Sequence, residues 1–335
     1  MKLDAGLHGS LGAAGDRARV IEEFGYDGVI SSEIDHDPFF PLLLAAETTE
    51  RVDLMTGIAV AFARNPMLLA NIGWDLHHHS GGRFVLGLGS QIKPHIEKRF
   101  SMPWSKPAAR MEEMIEATKA IWACWNEGEK LDFRGEFYRH TLMTPMFDPG
   151  VNPHGAPPIW LAGVGPLMTK VAGRVADGFI SHAFQTASYF RETSLPAIEA
   201  GLAESGRSRD DFTVVMPTFV VSGTTEEEFA ARRRETQQRV AFYGSTPAYR
   251  PVLDHHGWGE VQTELNTLSK RGEWEAMGDL IDDDILDEFA IVGKPRDVPG
   301  IVRERFGGVV DRLQFFVGVD DADTWGPVIE ELRAL

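Results

Sequence analysis

The sequence is poor in residues that form covalent or metal cross-links. Cys124 is the single cysteine among 335 residues, so the chain cannot form an intrachain disulfide. It lies between Trp122 and Trp125 in a helical pattern, which favours a buried and unreactive thiol. No two histidines are spaced as in H-x-x-x-H on a predicted helix. The sequence therefore predicts no metal site.

Long hydrophobic runs and a net positive charge are also absent. No run of about 20 apolar residues is present, so we expect no membrane-spanning helix. The first residues lead directly into a strand pattern without the hydrophobic segment of a signal peptide. The formal net charge of −17 argues against binding to nucleic acid or anionic membranes. We expect a cytoplasmic protein that binds a small molecule.

Several catalytic motifs are absent. The segment after the first predicted strand, HGSLGAAGD, contains glycines but lacks the G-x-G-x-x-G spacing of dinucleotide-binding folds. No Walker loop and no G-x-S-x-G elbow occur. No lysine stands at the end of a predicted strand, which makes a Schiff-base enzyme an unfavourable interpretation.

What is present is a regular alternation of apolar runs and amphipathic segments. The predicted strands are about 2–7, 28–31, 54–60, 84–88, 158–162, 178–181, 213–220 and 311–316. Eight strands that alternate with helices are typical of an α/β fold, the (β/α)8 TIM barrel. We predict a single domain over residues 1–335. Three segments are longer than ordinary connections and are predicted insertions, at about 91–106, 128–157 and 244–290.

Titratable residues follow several of the predicted strands. In TIM barrels the chemistry takes place at the C-terminal ends of the strands. The residues at these ends are His8 after the first strand, Glu33 and His36 after the second, His95 after the fourth and His182 after the sixth. A single histidine is more often a packed or surface residue, but histidine titrates near neutral pH. Together these residues predict an acid–base site.

A glycine-rich turn follows the fifth predicted strand. The apolar run Ile159–Ala162 ends at Gly163-Val164-Gly165-Pro166, directly before a helical pattern. One interpretation is a tight turn. The other is a turn whose N–H groups, together with the helix dipole, bind a phosphate. The predicted location at the catalytic end of the barrel favours the anion.

Three motifs in this order resemble a known family. SGGRFVLGLGS (80–90), RNPMLLA (64–70) and WLAGVGPLMTKVAGRVADGFI (160–180) are similar to the bacterial luciferase-like superfamily. Within it, they resemble the coenzyme F420-dependent oxidoreductases. The resemblance implies a TIM barrel whose insertions cover the C-terminal mouth, and a flavin or deazaflavin that lies across this mouth.

The resemblance also implies the residues of the cofactor site. The phosphate is expected at the turn after the fifth strand, and relatives have a non-prolyl cis peptide that matches the Ala59-Val60 bond. The implied cofactor-binding residues are Ala59, Val60, Ser90, Gln91, His95, Ala162, Gly163, Val164, Gly165 and Pro166.

The sequence departs from the family at the acid–base positions. Several deazaflavin relatives have Asp-His after strand two and a glutamate after strand four, where this chain has Glu33-Ile34 and Ile92. His36 lies two positions later, and His95 falls where relatives have an asparagine. We therefore rank His95 first as the acid–base group and Glu33 as the residue that orients it or the substrate hydroxyl. The candidates that follow are His36, His8 and His182.

The predicted activity is hydride transfer between C5 of the deazaflavin and a small organic substrate, either an alcohol/carbonyl pair or an activated alkene. A mostly hydrophobic substrate is expected because apolar residues follow the strands, namely Phe39, Phe62, Met102, Trp104 and Phe184. Three alternatives stay open: an FMN-dependent luciferase-like monooxygenase, a barrel enzyme of another class, and a non-catalytic flavin-binding protein. From the resemblance we expect a homodimer or higher homo-oligomer.

Overall fold

The centre of the molecule is a closed barrel of eight parallel strands. The computed structural model describes residues 1–315 and 321–335. The barrel strands are β1 Lys2–Gly6, β2 Gly28–Ser31, β3 Asp53–Thr56, β4 Phe84–Gly89, β5 Ile159–Ala162, β6 Gly178–Ile180, β7 Thr213–Val221 and β8 Arg312–Phe315. The ring closes because β8 pairs with both β1 and β7. The predicted TIM barrel is confirmed; Phe316, at the predicted end of the last strand, lies outside the described residues.

Helices alternate with these strands and surround the barrel. The α-helices are α1 Ala14–Glu23, α2 Phe39–Thr48, α3 Pro66–His79, α4 Pro107–Glu127, α5 Pro166–Val175, α6 Ala187–Tyr189, α7 Leu195–Glu204, α8 Glu226–Gly244, α9 Arg250–His255, α10 Gly259–Arg271, α11 Trp274–Asp279, α12 Asp283–Phe289, α13 Val298–Phe306 and α14 Ala322–Arg333. Within the described ranges, none of them combines the length and apolar character needed to cross a membrane.

Local sequence signals explain where several helices begin. The Asn65 side chain accepts a hydrogen bond from the Leu68 N–H at the start of α3. Thr225 and Glu228 form a capping box at the start of α8, because the side chain of each accepts a hydrogen bond from the backbone N–H of the other. Such caps satisfy N–H groups that have no partner inside the helix.

The barrel interior contains a buried ion pair near the N-terminal ends of the strands. Arg312 on β8 donates to Asp4 on β1 through Nε (2.9 Å) and to Asp53 on β3 through Nη1 (2.7 Å). Its guanidinium carbon lies 5.5 Å from the centroid of the Trp160 ring. The Asp4 and Arg312 side chains are almost fully buried. The pair therefore connects strands from the two ends of the chain inside the barrel.

The third strand is interrupted, and this corrects one expectation. The cis peptide bond joins Gly57 and Ile58, and the prediction of a cis bond at Ala59-Val60 is wrong. Ala59 and Val60 form a short strand that pairs in parallel with the end of β4. Because these two residues are in register with β4, the break in the strand falls before them.

The predicted insertion at 244–290 folds as helices α9 to α12, which pack with α8 into a second hydrophobic cluster beside the main core. Phe184, which follows β6, stacks on Phe289 in this cluster at 4.4 Å between ring centroids. The last residues of β7 extend beyond the barrel and pair with the short strand Ala290–Val292. These helices therefore stand at the C-terminal ends of β6 and β7.

Candidate cofactor and substrate site

The turn between β5 and α5 presents several free N–H groups. Within the part of the chain that the structure describes, the N–H groups of Val164, Gly165, Leu167 and Met168 have no hydrogen-bond partner. Pro166, the first residue of α5, has no N–H group. Four unpaired donors and the positive end of a helix dipole at one place form a site suited to a phosphate.

The two glycines of this turn have different structural reasons. A Cβ atom on Gly163 would lie 3.2 Å from both Met168 Cγ and Phe179 Cε2, which is closer than ordinary contact. Gly165 has φ −85° and ψ 154°, which any residue can adopt, and a Cβ atom there would meet nothing within 4 Å. Packing therefore explains Gly163, whereas the tight-turn interpretation does not explain Gly165. The open space at Gly165 leaves room for a ligand beside the N–H groups.

A buried hydroxyl lies next to this turn. Ser181 follows β6 directly, and its Oγ atom is buried without a hydrogen-bond partner among the described residues. The turn is joined to the same strand end by the hydrogen bond from Gly163 N–H to the Ile180 carbonyl. An unpaired buried hydroxyl beside free N–H groups fits a ligand with several acceptor oxygens. The residues present thus fit the phosphate of a flavin or deazaflavin.

Apart from the ion pair, the barrel interior is largely apolar. It is filled by Ile30, Met55, Val85, Trp160, Ile180 and Val215. Ile58 and Ala162 pack against this cluster and are partly exposed. Glycine at position 89 leaves space for Ile58, because a Cβ atom there would lie 2.4 Å from Ile58 Cδ1. The mouth therefore has an apolar floor, which suits the face of a planar ring system.

Hydrogen bonds from the β2 loop hold the interrupted segment of the third strand. Gly57 N–H donates to the Ser31 carbonyl (2.8 Å), and Glu33 N–H donates to the Ile58 carbonyl (3.2 Å). The Ser32 hydroxyl donates to the Gly57 carbonyl at 2.7 Å. These bonds determine how Ile58 is presented at the mouth.

The Glu33 side chain takes part in the same arrangement. Its Oε2 atom accepts a hydrogen bond from the Val60 N–H (2.7 Å) and one from Arg64 Nη1 (2.6 Å). Arg64 also donates to Asp37 at 2.9 Å. Glu33 and Arg64 are largely buried, with 8% and 13% of their side chains exposed. We interpret Glu33 as a residue that positions the interrupted strand, and the role given to it from sequence, which is to orient the acid–base histidine or the substrate hydroxyl, stays a prediction.

Glu33→Gln is expected to destabilise the fold by about 2 kcal/mol, because it removes the more buried of the two carboxylates that pair with Arg64 and leaves only Asp37. Urea unfolding of the two proteins measures the loss. Asp35→Asn is the matched control, since the Asp35 side chain is 79% exposed in the same loop. Equal stability of Glu33→Gln and wild type would contradict the positioning role.

His182 lies on the opposite side of the mouth, two residues after β6. Its Nδ1 atom accepts a hydrogen bond from the Phe184 N–H (2.9 Å), and Nε2 lies 3.2 Å from the Tyr249 hydroxyl. The ring stacks on Tyr249 and meets Tyr243 edge to face, both at 4.7 Å between centroids. Burial lowers the pKa of His182 to about 4, so the ring is neutral at physiological pH.

The other predicted histidines are more exposed. The His8 ring folds back against Gly6, whose added Cβ atom would lie 2.3 Å from His8 Nε2. Burial, together with the charges of Arg17 and Arg239, lowers the pKa of His8. The His36 side chain is 75% exposed and pairs with Asp35. His95 is exposed at the start of a π-helical turn. Their predicted catalytic roles stay predictions.

The remaining predicted residues divide into two groups. Ser90 and Gln91 form local hydrogen bonds, because the Ser90 hydroxyl donates to the Gln91 carbonyl and Gln91 Oε1 accepts from the next N–H. Gln91 has a positive φ of 57°. Of the apolar residues expected to line the mouth, Phe39, Phe62 and Phe184 are buried in the cores, and Met102 and Trp104 are partly buried against them. That expectation is wrong for the three phenylalanines, because each packs against other aromatic rings.

Sequence analysis did not identify Ser181, Tyr243 or Tyr249 as site residues. Ser181 directly precedes His182, so its place after a predicted strand was a signal that could have identified it. The two tyrosines come from α8 and from the segment after it, and only tertiary packing brings them to the end of β6. Nothing in their spacing indicates this.

Comparisons with known proteins agree with this architecture. The luciferase-like monooxygenase family matches this chain over residues 3–312. An uncharacterised Mycobacterium tuberculosis protein, Rv1360, is 53% identical over 313 residues, covering 93% of this chain and 92% of that protein. A putative coenzyme F420-dependent oxidoreductase of the same organism, Rv3520c, is 28% identical over 290 residues, covering 81% of each chain.

A solved structure has the same fold. The coenzyme F420-dependent tetrahydromethanopterin reductase of Methanopyrus kandleri superposes with a TM-score of 0.81, covering 100% of this chain and 98% of that chain. The sequence identity is 23%, so this similarity supports the architecture alone.

Proposed function

Because this chain belongs to the luciferase-like monooxygenase family, we propose that it is a coenzyme F420-dependent oxidoreductase. The observation that carries the proposal is the turn of free N–H groups at Val164, Gly165, Leu167 and Met168. The similarity to a putative F420-dependent oxidoreductase supports the choice of cofactor.

The chain's own residues have distinct roles in this proposal. The turn before α5 and the Ser181 hydroxyl would hold the phosphate, and the apolar floor with Ile58 and Ala162 would support the ring. When bound, the deazaflavin supplies or accepts a hydride at C5. The helices beside β6 and β7 would restrict the access of water to the mouth.

FMN is the alternative cofactor, because the matching family is described as luciferase-like monooxygenases. FMN also has a phosphate and a planar ring, so the same N–H groups and the same floor suit it. Equilibrium binding of F420 and of FMN to the purified protein tests the proposal. The opposite result would be tight FMN binding with oxygen consumption, and no detectable F420 binding at high micromolar concentration. That result would favour an FMN-dependent monooxygenase over an F420-dependent oxidoreductase. Absence of binding for both cofactors would refute the cofactor site.

Gly165→Val is expected to weaken cofactor binding about tenfold or more while the stability of the protein stays unchanged. The added side chain would occupy the open space beside the N–H groups, and loss of one charge-assisted hydrogen bond costs about 1.5–3 kcal/mol. Fluorescence titration with F420 and thermal unfolding are the two measurements. Gly300→Val on α13 is the matched control, because a Cβ atom there also meets nothing within 4 Å. Normal F420 affinity in Gly165→Val would remove the anion interpretation.

We further propose a small, mostly hydrophobic substrate with one oxygen function, as in an alcohol/carbonyl pair or an activated alkene. The apolar floor of the mouth and the aromatic side chains around His182 support a hydrophobic substrate. The polar groups near them, the Tyr249 hydroxyl among them, can contact a single oxygen atom.

We also propose a homo-oligomer in which a second copy covers the outer face of α2. Phe40, Leu43 and Leu44 are 59%, 42% and 37% exposed there. Their i, i+3 and i+4 spacing places them on one side of the helix. An apolar helix face of this kind is typical of a protein–protein contact. Sedimentation of a monomer at micromolar concentration would refute this proposal.

A further inference from the structure

The hydrogen bonds of His182 determine which ring nitrogen carries the proton. Nδ1 accepts a hydrogen bond from the Phe184 N–H at 2.9 Å, so Nδ1 holds a lone pair. The low pKa of the ring keeps it neutral, and a neutral imidazole carries one proton. That proton is therefore on Nε2.

It follows that the Tyr249 hydroxyl accepts a hydrogen bond from His182. The Nε2 atom lies 3.2 Å from Tyr249 Oη, and because Nε2 carries the proton it is the donor of this hydrogen bond. Among the described residues the Tyr249 hydroxyl has no other hydrogen-bond partner, so its own proton is not used within the protein. A buried histidine thus aligns a tyrosine whose O–H group is available to a ligand.

The pair is located at the mouth of the barrel. His182 comes two residues after the end of β6, and Ser181 lies between the strand and His182. Tyr249 and Tyr243 are both partly exposed, whereas Phe184 beneath them is fully buried. The pair therefore lies where the second hydrophobic cluster meets the C-terminal end of β6.

We propose that Tyr249 is the catalytic residue that donates a hydrogen bond and a proton to the carbonyl oxygen of the substrate, and that His182 is its positioning residue. This inference rests on the proposed function, which supplies the hydride. In this inference Tyr249 supplies the proton that must accompany the hydride.

The step balances as a carbonyl reduction. The carbonyl carbon receives the hydride with its electron pair, and the carbonyl oxygen takes the π electrons and forms a bond to the Tyr249 proton. The electron pair of the O–H bond remains on the tyrosine oxygen, where the His182 Nε2–H group stabilises it. Water at the mouth then returns the proton to Tyr249. His182 keeps its own proton throughout.

The protonation state of Tyr249 is compatible with this direction. Burial and the neighbouring Tyr243 raise the pKa of Tyr249 to about 12. At neutral pH the residue is protonated, so it can act as an acid, and very little phenolate is present to act as a base. We therefore assign to this site the reduction of a carbonyl or of an alkene conjugated with one.

The experiment uses the full chain with reduced F420, and cyclohexanone and cyclohexenone as probe substrates. Tyr249→Phe is expected to slow single-turnover oxidation of the cofactor by about a hundredfold, since a positioned acid contributes about 10²–10⁴-fold. The F420 affinity of this variant should be unchanged. Tyr26→Phe is the matched control and should leave the rate unchanged, because Tyr26 is a buried tyrosine that precedes β2, at the end of the barrel opposite the mouth. His182→Gln, whose amide can still donate, should keep more activity than His182→Leu.

A second measurement does not depend on activity. In ¹⁵N-histidine spectra of the cofactor-free protein, His182 should carry its proton on Nε2 from pH 5 to pH 8, and Tyr249→Phe should preserve this tautomer. A proton on Nδ1, or unchanged hydride transfer in Tyr249→Phe, would overturn the inference. A wild-type protein that binds F420 but reduces neither probe would also overturn it. Failure to bind F420 would instead refute the proposed function.

Discussion

Arg312→Leu is expected to destabilise the protein by about 3–5 kcal/mol, because it leaves the buried Asp4 carboxylate without its counter-charge. Asp4 is fully buried, and Arg312 is only 4% exposed. Asp53 retains Lys2 at 3.0 Å, so Asp4 bears most of the loss. Because the free energy of unfolding of a native protein is typically about 5–15 kcal/mol, this loss is a large part of the total stability. The urea concentration at the midpoint of unfolding measures the effect.

The control for this prediction is Arg333→Leu. Arg333 also pairs with an aspartate, Asp27 at 3.1 Å, but its side chain is 50% exposed. Loss of such a surface pair costs at most about 1 kcal/mol. The double variant Asp4→Leu/Arg312→Leu should recover much of the stability, because no uncompensated charge remains. Similar losses in Arg312→Leu and Arg333→Leu would show that the barrel interior tolerates an unpaired carboxylate.

His182 should make the fold sensitive to acid. Its pKa is about 4 in the folded protein, whereas the ordinary value of 6.5 applies once the chain is unfolded. The folded state therefore binds fewer protons between these values, so the contribution of His182 is complete above pH 6.5 and is lost as the pH falls to 4. A difference of about 2.5 pH units corresponds to about 3 kcal/mol. The free energy of unfolding, measured from pH 7.5 to pH 4, gives the slope.

The comparison with His182→Gln isolates this contribution. The pKa of four other histidines is also lowered by burial, namely His8, His77, His140 and His256. These four are present in both proteins, so their effects cancel in the difference. His36→Gln controls for the loss of a surface histidine, since its side chain is 75% exposed. An identical pH dependence in wild type and His182→Gln would mean that His182 is accessible to protons in the folded state.

The two sides of the mouth differ in chemistry. On the β2 and β3 side, Glu33 and Arg64 form an ion pair that holds the backbone of the interrupted strand. On the β6 side, His182 is neutral and aligns the Tyr249 hydroxyl. We therefore infer that the ion pair stabilises the backbone on one side of the mouth. On the other side, we infer that the neutral His182–Tyr249 pair contacts the substrate.

The sequence by itself determined the barrel and the position of the glycine turn before α5. Eight apolar runs separated by amphipathic segments require a parallel sheet covered by helices, because each pattern can bury its apolar face in only one way. The Gly163-Val164-Gly165-Pro166 turn was found for a similar reason. A strand end, a glycine turn and a helix start are local features, so each can be identified from residues that are adjacent in sequence.

Only the tertiary structure decided which side chains act together. Glu33 was recognised as a residue at a strand end, but its pairing with Arg64 and the Val60 N–H depends on the exact path of the third strand. Tyr249 is 67 residues from His182 in sequence, and its position depends on how the inserted helices pack. Contacts between distant segments arise from packing and burial, which leave no periodic pattern in the sequence.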